Sequence, residues 1–246
     1  MNEKSFLTQI SLVIPVYNEE ERIKKSLSKI LPYLNQLADY EIIFVDDGST
    51  DRTLLVLEEY KNKRFRVIKN GKNCGKGYSV QQGMLRARYP VVLFSDADFS
   101  TPIEDLEKLL PHLENYDIVI GSRGMEQSQI SVHQKFYKEW LGKIGNKFIQ
   151  LLVIPGIKDT QCGFKLFKKE TLVIFQKQTI KRWGFDFEIL MLAHKIGFRI
   201  KEVPVRWQND FRSKVKSSDY LKTFGELIKI KWNVLTNKYD FKNYGR

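Results

Sequence analysis

Val91-Val92-Leu93-Phe94-Ser95-Asp96-Ala97-Asp98 decides the reading of this chain. Val91 to Ser95 is a short apolar run without polar alternation, which predicts a strand buried on both faces. It runs directly into two carboxylates with one residue between them. Ligands of open α/β sheets bind outside the carboxyl ends of the strands, where strand order switches. Two carboxylates at that spacing can share a divalent ion, a hard cation that takes oxygen ligands and fills its shell from water and a diphosphate. The ordinary alternative is an Asp pair satisfied by turn backbone.

Upstream, strands and helices alternate. Ile10 to Val16 reads as a buried strand. Asn18 is expected to cap the next helix, with Glu21 as its capping-box partner. That helix should bury Ile23, Leu27, Ile30, Leu31 and Leu34, and Pro32 should kink it or end it early. Glu41 to Val45 is the second strand, Asp51 to Tyr60 a helix, Phe65 to Lys69 the third strand and Gly75 to Arg88 a helix behind a Gly-rich turn. This spacing implies parallel βαβ units. Downstream, Thr101 with Pro102 and Glu104 forms a second expected cap. Asp117 to Gly121 is a fifth strand. The second half is less regular, with mixed helical periodicity over Ser131 to Val153 and a short strand at Gly163 to Lys168. Phe185 to Ile196 is a helix ended by Gly197. Val203, Val205 and Trp207 alternate as a half-exposed strand would, and Tyr220 to Leu235 is a basic amphipathic helix. No Gly/Ser linker interrupts the chain, so 1–246 reads as one domain, with halves at 1–122 and 123–215 and a basic helix in 216–246.

The totals fit an ordinary globular α/β chain: 246 residues, 42% hydrophobic and 28% charged. The net charge of +12, from 41 basic and 29 acidic residues, suits polyanionic or phosphorylated partners. Lysine and arginine concentrate in Lys135 to Lys147 and from Arg199 onward, where a solvated surface is the plain alternative. Cys74 and Cys162 fit no metal spacing, and neither do His112, His133 and His194, so reduced thiols and structural or surface histidines are expected. Met1 to Thr8 is polar and unlike a signal peptide. No run of about 18 apolar residues exists to span a bilayer.

Three further motifs share the sheet edge with Asp96 and Asp98. In Pro15-Val16-Tyr17-Asn18-Glu19, Tyr17 can stack beside a base and Glu19 can hold a ribose hydroxyl or base edge. In Val45-Asp46-Asp47-Gly48-Ser49-Thr50-Asp51, one Asp can accept from a pyrimidine N–H and Ser49 or Thr50 can cap the next helix. In Asn73-Cys74-Gly75-Lys76-Gly77, the glycines allow close backbone approach and Lys76 can reach a phosphate. Neither a Walker loop nor a Rossmann dinucleotide fingerprint is present. Each motif alone also fits turn or cap chemistry; their joint placement builds a nucleotide pocket ending at a metal site.

Together with Gly121-Ser122-Arg123, these motifs resemble the inverting family 2 glycosyltransferases from about Ser11 to Trp207. The resemblance implies a GT-A (Rossmann-like) fold: an open, mostly parallel sheet with flanking helices. Asn73-Cys74-Gly75-Lys76-Gly77-Tyr78 and Asp159-Thr160-Gln161-Cys162-Gly163-Phe164-Lys165-Leu166-Phe167 look like dolichyl-phosphate β-glucosyltransferases and their prokaryotic relatives. The related mannose synthases usually carry another turn at Gly75-Lys76-Gly77. The implied reaction moves glucose from UDP-glucose, with inversion, to a polyprenyl or dolichyl phosphate.

By that resemblance, Pro15, Tyr17, Glu19, Asp46, Asp47 and Asp96 hold the nucleotide, and Asp96 and Asp98 bind Mg2+ or Mn2+ on the diphosphate. Asp159 takes the position of the base, with Asp186 and Glu188 as rivals pointing about 200° apart on one helix. Arg123 would hold the acceptor phosphate. Lys135 and Lys138 join it from charge alone. Ser213 and Lys214 fall in a closing loop beside the diphosphate, where Arg212 replaces a frequent Gly. The family's eukaryotic glucosyl members carry an N-terminal transmembrane anchor, and none is expected here. Two basic amphipathic stretches, around Trp140 to Leu152 and Tyr220 to Leu235, instead offer a peripheral membrane contact. The expected place is the cytoplasm, at the cytoplasmic face of a membrane. The competing readings are another donor such as GDP-mannose, a soluble or polysaccharide acceptor, nucleotidyl transfer, and a non-catalytic nucleotide- or RNA-binding module. Nucleic acid is not an expected partner: no RNA-recognition aromatic motif or zinc knuckle is present, and the Asp pair would repel it unless metal-bound.

Overall fold

The computed structural model describes residues 9–132, 147–151, 153–208 and 217–241. The apolar runs of the first half form the parallel centre of the main sheet. β1 (Gln9–Val16) lies between β2 (Asp39–Asp46) and β4 (Val91–Ser95), and β3 (Phe65–Lys69) pairs outside β2, all parallel. β7 (Phe164–Lys168) then enters antiparallel between β4 and β5 (Ile118–Ser122), and β8 (Ile200–Pro204) pairs in parallel with β5. The seven strands run in the order β3-β2-β1-β4-β7-β5-β8. A smaller sheet pairs β6 (Gln129–Val132) with β9 (Arg206–Gln208). The carboxyl ends of the parallel strands and the amino end of β7 therefore share one edge.

Helices cover both faces: α1 (Glu20–Leu34), α2 (Thr53–Tyr60), α3 (Lys76–Met84), the short α4 (Leu106–Leu109) and α5 (Val173–Lys177), α6 (Phe185–Ile196) and α7 (Ser217–Leu235). Because strand side chains alternate faces, each buried strand feeds two cores. Val13, Ile43, Phe94 and Ile120 pack with α3 and α6. Leu12, Ile42, Leu93 and Val119 pack with α1 on the other face. This double burial explains the unbroken apolar runs.

Several local expectations are corrected. Asn18 does not cap α1: it adopts φ 54°, and its side-chain oxygen accepts from the Thr50 N–H at 2.8 Å. The Asn18 N–H donates to Ser49 Oγ, so the first two strand-end turns are laced together rather than spent on helix ends. Ser49 and Thr50 likewise do not cap α2, whose first N–H, on Thr53, donates to Asp51. Pro32 sits inside α1, which continues to Leu34; Pro32 and Ser28 one turn earlier are exposed, so the carbonyl left without a donor can be hydrated. Pro102 is extended and a 3₁₀ turn starts at Ile103, displacing the cap expected at Thr101. α3 stops at Met84, and the Arg88 N–H is taken by Ser11 and Glu41 instead. The alternating stretch at Val203 to Trp207 splits between the two sheets after Pro204. Most of Ser131 to Val153 lies outside the described residues.

α3 approaches β1 through Gly83, where an added methyl would collide with Val13 and stand 3.0 Å from Val45 Cγ2. Gly83→Ala is expected to destabilise the fold by about 1–3 kcal/mol through overpacking, despite a helix-propensity gain of up to ~1 kcal/mol. A lower urea midpoint at unchanged slope is the expected reading.

Candidate active site

At the end of β2, two adjacent carboxylates fix two different loops. Asp46 accepts from the N–H groups of Gly48 and Ser49, closing its own turn. Asp47 reaches the next turn, accepting from Asn70 Nδ2, the Cys74 N–H and the Gly75 N–H at 2.8–2.9 Å. Both residues are buried. Glu19, after β1, accepts from Arg22 at 3.1 Å and 3.2 Å. Asp46 and Asp47 thus hold the walls of the edge, and Asp47 sets the turn that presents Lys76.

Lys76 begins α3 and crosses to the end of β4, with Nζ 2.7 Å from Asp96 Oδ1. Its ammonium lies 5.5 Å from the Phe94 ring centre and 5.6 Å from that of Trp183, close enough for cation–π attraction. Burial disfavours its charge, but Asp96 and Asp186 outweigh that and raise its pKa above the ordinary lysine range. Asp98 accepts from the Ser100 N–H at 3.0 Å. Burial, then the charge of Asp96, push the Asp98 carboxyl up. Gly163 brings its backbone against Asp96: its carbonyl accepts the Asp96 N–H at 3.1 Å, and any β-carbon there would collide with the Asp96 carboxylate.

Behind this cluster lies a buried lysine for which sequence reasoning gave no role. Lys165 of β7 is fully buried and donates to the Cys162 carbonyl at 2.7 Å and to Asp186. Its position on the face shared with Phe167, inside an otherwise apolar strand, is a signal the sequence did carry. Asp186 points toward Lys165 and Lys76. Glu188 turns away, accepting from the Thr179 N–H and hydroxyl, the Ile180 N–H and the Tyr239 hydroxyl at 2.6–3.0 Å. The expected divergence of the two carboxylates holds, and only Asp186 joins the strand-end cluster.

Arg123 follows β5 and meets Asp159 in a two-pronged pair. Nε donates to Oδ2 at 2.7 Å, Nη2 to Oδ1 at 2.9 Å and the Arg123 N–H to Oδ2 at 2.9 Å. Its guanidinium lies 5.4 Å from the Trp207 ring centre. Glu202 accepts the N–H groups of Lys158 and Asp159, fixing the acid's backbone. Burial alone would raise the Asp159 carboxyl; Arg123 overcomes that and brings it down to about 2. An acid so strongly held is anionic at neutral pH and a poor proton acceptor. Lys135, Lys138, Arg212, Ser213 and Lys214 lie outside the described residues.

No group of three or more His, Cys, Asp or Glu residues poised for a metal occurs among the described residues. Asp96 and Asp98 nevertheless fit a divalent cation on the chemistry of their oxygens, and the Lys76 ammonium against Asp96 shows that a positive charge is accommodated there. Two carboxylates suit an ion that completes its shell from a ligand diphosphate and water.

Residues 11–174 match the family described as Glycosyl transferase family 2. A dolichyl-phosphate beta-glucosyltransferase of Trichomonas vaginalis is 39% identical over 237 residues, covering 90% of this chain and 72% of that protein. The Homo sapiens dolichyl-phosphate beta-glucosyltransferase is 36% identical over 251 residues, covering 94% and 77%. Among solved structures, glucosyl-3-phosphoglycerate synthase from Mycobacterium tuberculosis, in complex with Mn2+, UDP and glucosyl-3-phosphoglycerate, superposes with a TM-score of 0.68 at 17% identity. That match covers 91% of this chain and 80% of the other, a likeness of fold.

The Asp159 pair predicts a pH dependence. Its folded pKa lies below the ordinary 3.8, so its contribution is complete above about pH 5 and is lost as pH falls toward about 2. The difference between urea melts of wild type and Asp159→Asn should be full at about pH 6, shrink below about pH 4 and close only toward about pH 2. A constant difference would show that the charge pair contributes nothing.

Proposed function

The chain belongs to glycosyl transferase family 2, and we propose that it transfers glucose from UDP-glucose, with inversion, to the phosphate of a polyprenyl or dolichyl carrier. It is a glycosyltransferase of the GT-A fold. The observation carrying the reading is the meeting, on one sheet edge, of the Asp96–Lys76 cluster with the Arg123–Asp159 pair. The first suits a donor diphosphate and its cation; the second suits an acceptor anion. Relatives named for glucosyl transfer to dolichyl phosphate, alike over most of the chain, support the choice of sugar and acceptor.

In this reading Pro15, Tyr17, Glu19, Asp46 and Asp47 form the nucleotide end of the pocket. Asp96 and Asp98 would hold Mg2+ or Mn2+, which when bound supplies positive charge against the leaving diphosphate. Lys76 adds a second positive charge there, and Ser213 and Lys214 are assigned to the same diphosphate by the resemblance alone. A phosphate oxygen of the acceptor attacks the sugar's anomeric carbon as the bond to the diphosphate breaks. UDP departs with that electron pair, and the anomeric configuration inverts in one displacement.

The acceptor makes a base unnecessary. A phosphate monoester has a second pKa of about 6 and is mostly a dianion at neutral pH. What it needs is a fixed cation, and Arg123, aided by Lys135, fills that part. Asp159 then acts by holding Arg123 in place, and Asp186 by holding Lys165 behind the cluster. The residues of 1–122 form the donor half and 123–215 the acceptor half of one domain. No described helix is long and apolar enough to cross a membrane. The enzyme is read as meeting its lipid acceptor peripherally, at the cytoplasmic face.

Radiolabelled glucose should pass from UDP-glucose to dolichyl or polyprenyl phosphate with Mg2+ or Mn2+, stop with chelator, and not be replaced by mannose from GDP-mannose. Transfer from GDP-mannose instead, or to a soluble acceptor alone, would overturn the donor or the acceptor assignment. Asp98→Asn should lower metal-dependent transfer by roughly 100-fold or more, several kcal/mol of transition-state stabilisation, with its melting temperature retained. Turnover at the wild-type rate would remove the cation site.

A further inference from the structure

α7 turns an apolar face to solvent. Leu221, Phe224, Ile228, Trp232 and Leu235 are between 47% and 79% exposed. At about 100° per residue they fall within an arc of about 80° and extend roughly 21 Å along the axis. The opposite side of the helix, Leu227, Ile230 and Asn233, is buried against the body of the protein. α7 is therefore seated by one face and leaves a second apolar stripe uncovered. Isolated exposed apolar residues need no explanation, but a stripe aligned over four turns does.

A second element continues the stripe. Phe148, in the helical residues 147–151, meets Phe224 edge to face at a centroid distance of 6.1 Å, and it and Leu151 are themselves exposed. Charge frames the patch: Lys222 and Lys229 flank the stripe on one side, Lys231 flanks it on the other, and Lys147 stands beside Phe148, all exposed. An apolar strip between lysine rows matches an anionic bilayer surface, with tails below and phosphate headgroups at the rim. A second copy of the chain would set these lysine rows against one another.

We propose that the stripe Leu221–Phe224–Ile228–Trp232–Leu235, extended by Phe148 and Leu151, docks the protein on an anionic membrane. The inference deepens the lipid-phosphate reading and rests on it only for its purpose. The seat is coupled to the site. Glu226, on the side of α7 away from the stripe, accepts the Gly184 N–H at 2.7 Å, next to Trp183, whose ring lies by Lys76. A docked α7 is thus linked through Gly184 and Trp183 to the donor cluster.

The test is co-sedimentation with sucrose-loaded vesicles, made of phosphatidylcholine with or without about 30% phosphatidylglycerol, in the absence of donor and acceptor. Wild type should bind the anionic vesicles at least about tenfold better than the neutral ones. The double variant Ile228→Asp, Trp232→Ser should lose at least about tenfold in binding, because it exchanges buried apolar area for polar groups. Both positions face solvent, so its circular dichroism and melting temperature should match wild type. Its transfer to a water-soluble short-chain polyprenyl phosphate should be unchanged while transfer to vesicle-borne acceptor falls. No wild-type binding, equal binding by the variant, or no preference for anionic lipid would each overturn the proposal. So would a dimer in sedimentation velocity that the variant dissolves, since the stripe would then be a self-interface. Because vesicle binding needs no substrate, failure of glucosyl transfer leaves this result readable by itself.

Discussion

Opposite charges closed into pairs at the buried end of the sheet are the constraint on which the rest depends. An unpaired charge in such a place is costly, and removing one partner is worse than never having had either. Asp96 has Lys76, Asp186 has Lys165 and Asp159 has Arg123. The partners of each pair stand 20 to 36 residues apart, so each pair also ties together separate segments of the chain. Their arrangement gathers cations and carboxylates at one edge, already oriented by the fold.

Much of this was legible in the sequence. The doubly buried strands appeared as unbroken apolar runs because each feeds two cores, and the end of α6 at Gly197 followed from its left-handed backbone, φ 97°. The motifs after β1, β2 and β4 fall on one edge as their positions implied. What was not legible was how the turn residues distribute their bonds. Asn18, Ser49, Thr50 and Asp51 are all good caps, and only the packed tertiary arrangement decides that Asn18 bonds across to Thr50. Nor does any local pattern reveal that β7 inserts antiparallel, since strand direction depends on a return path through irregular chain. Lys165 was readable in principle as a charge in an apolar run, but its partner Asp186 is 21 residues away, on another element.

Asp159 shows how geometry changes the meaning of a motif. In sequence it is a carboxylate where a base is expected. In space it is an acid committed to an arginine through two side-chain bonds and a backbone one. The chemistry of the acceptor decides between these roles. A hydroxyl nucleophile would need the proton taken away, whereas a phosphate dianion needs a rigid counter-charge.

That same pair has an architectural consequence. Arg123 stands where the chain leaves β5 and Asp159 shortly before it re-enters the sheet at β7. Their bond is a clasp at the neck of an excursion 36 residues long. The entropy of closing such a loop rises only with the logarithm of its length, so a change in the length of its exposed part costs little, whereas β6 and the buried Ile149, Ile154 and Ile157 tie the remainder to the body. The clasp fixes the two ends of the excursion, so variation in its exposed length need not reach the strand-end cluster.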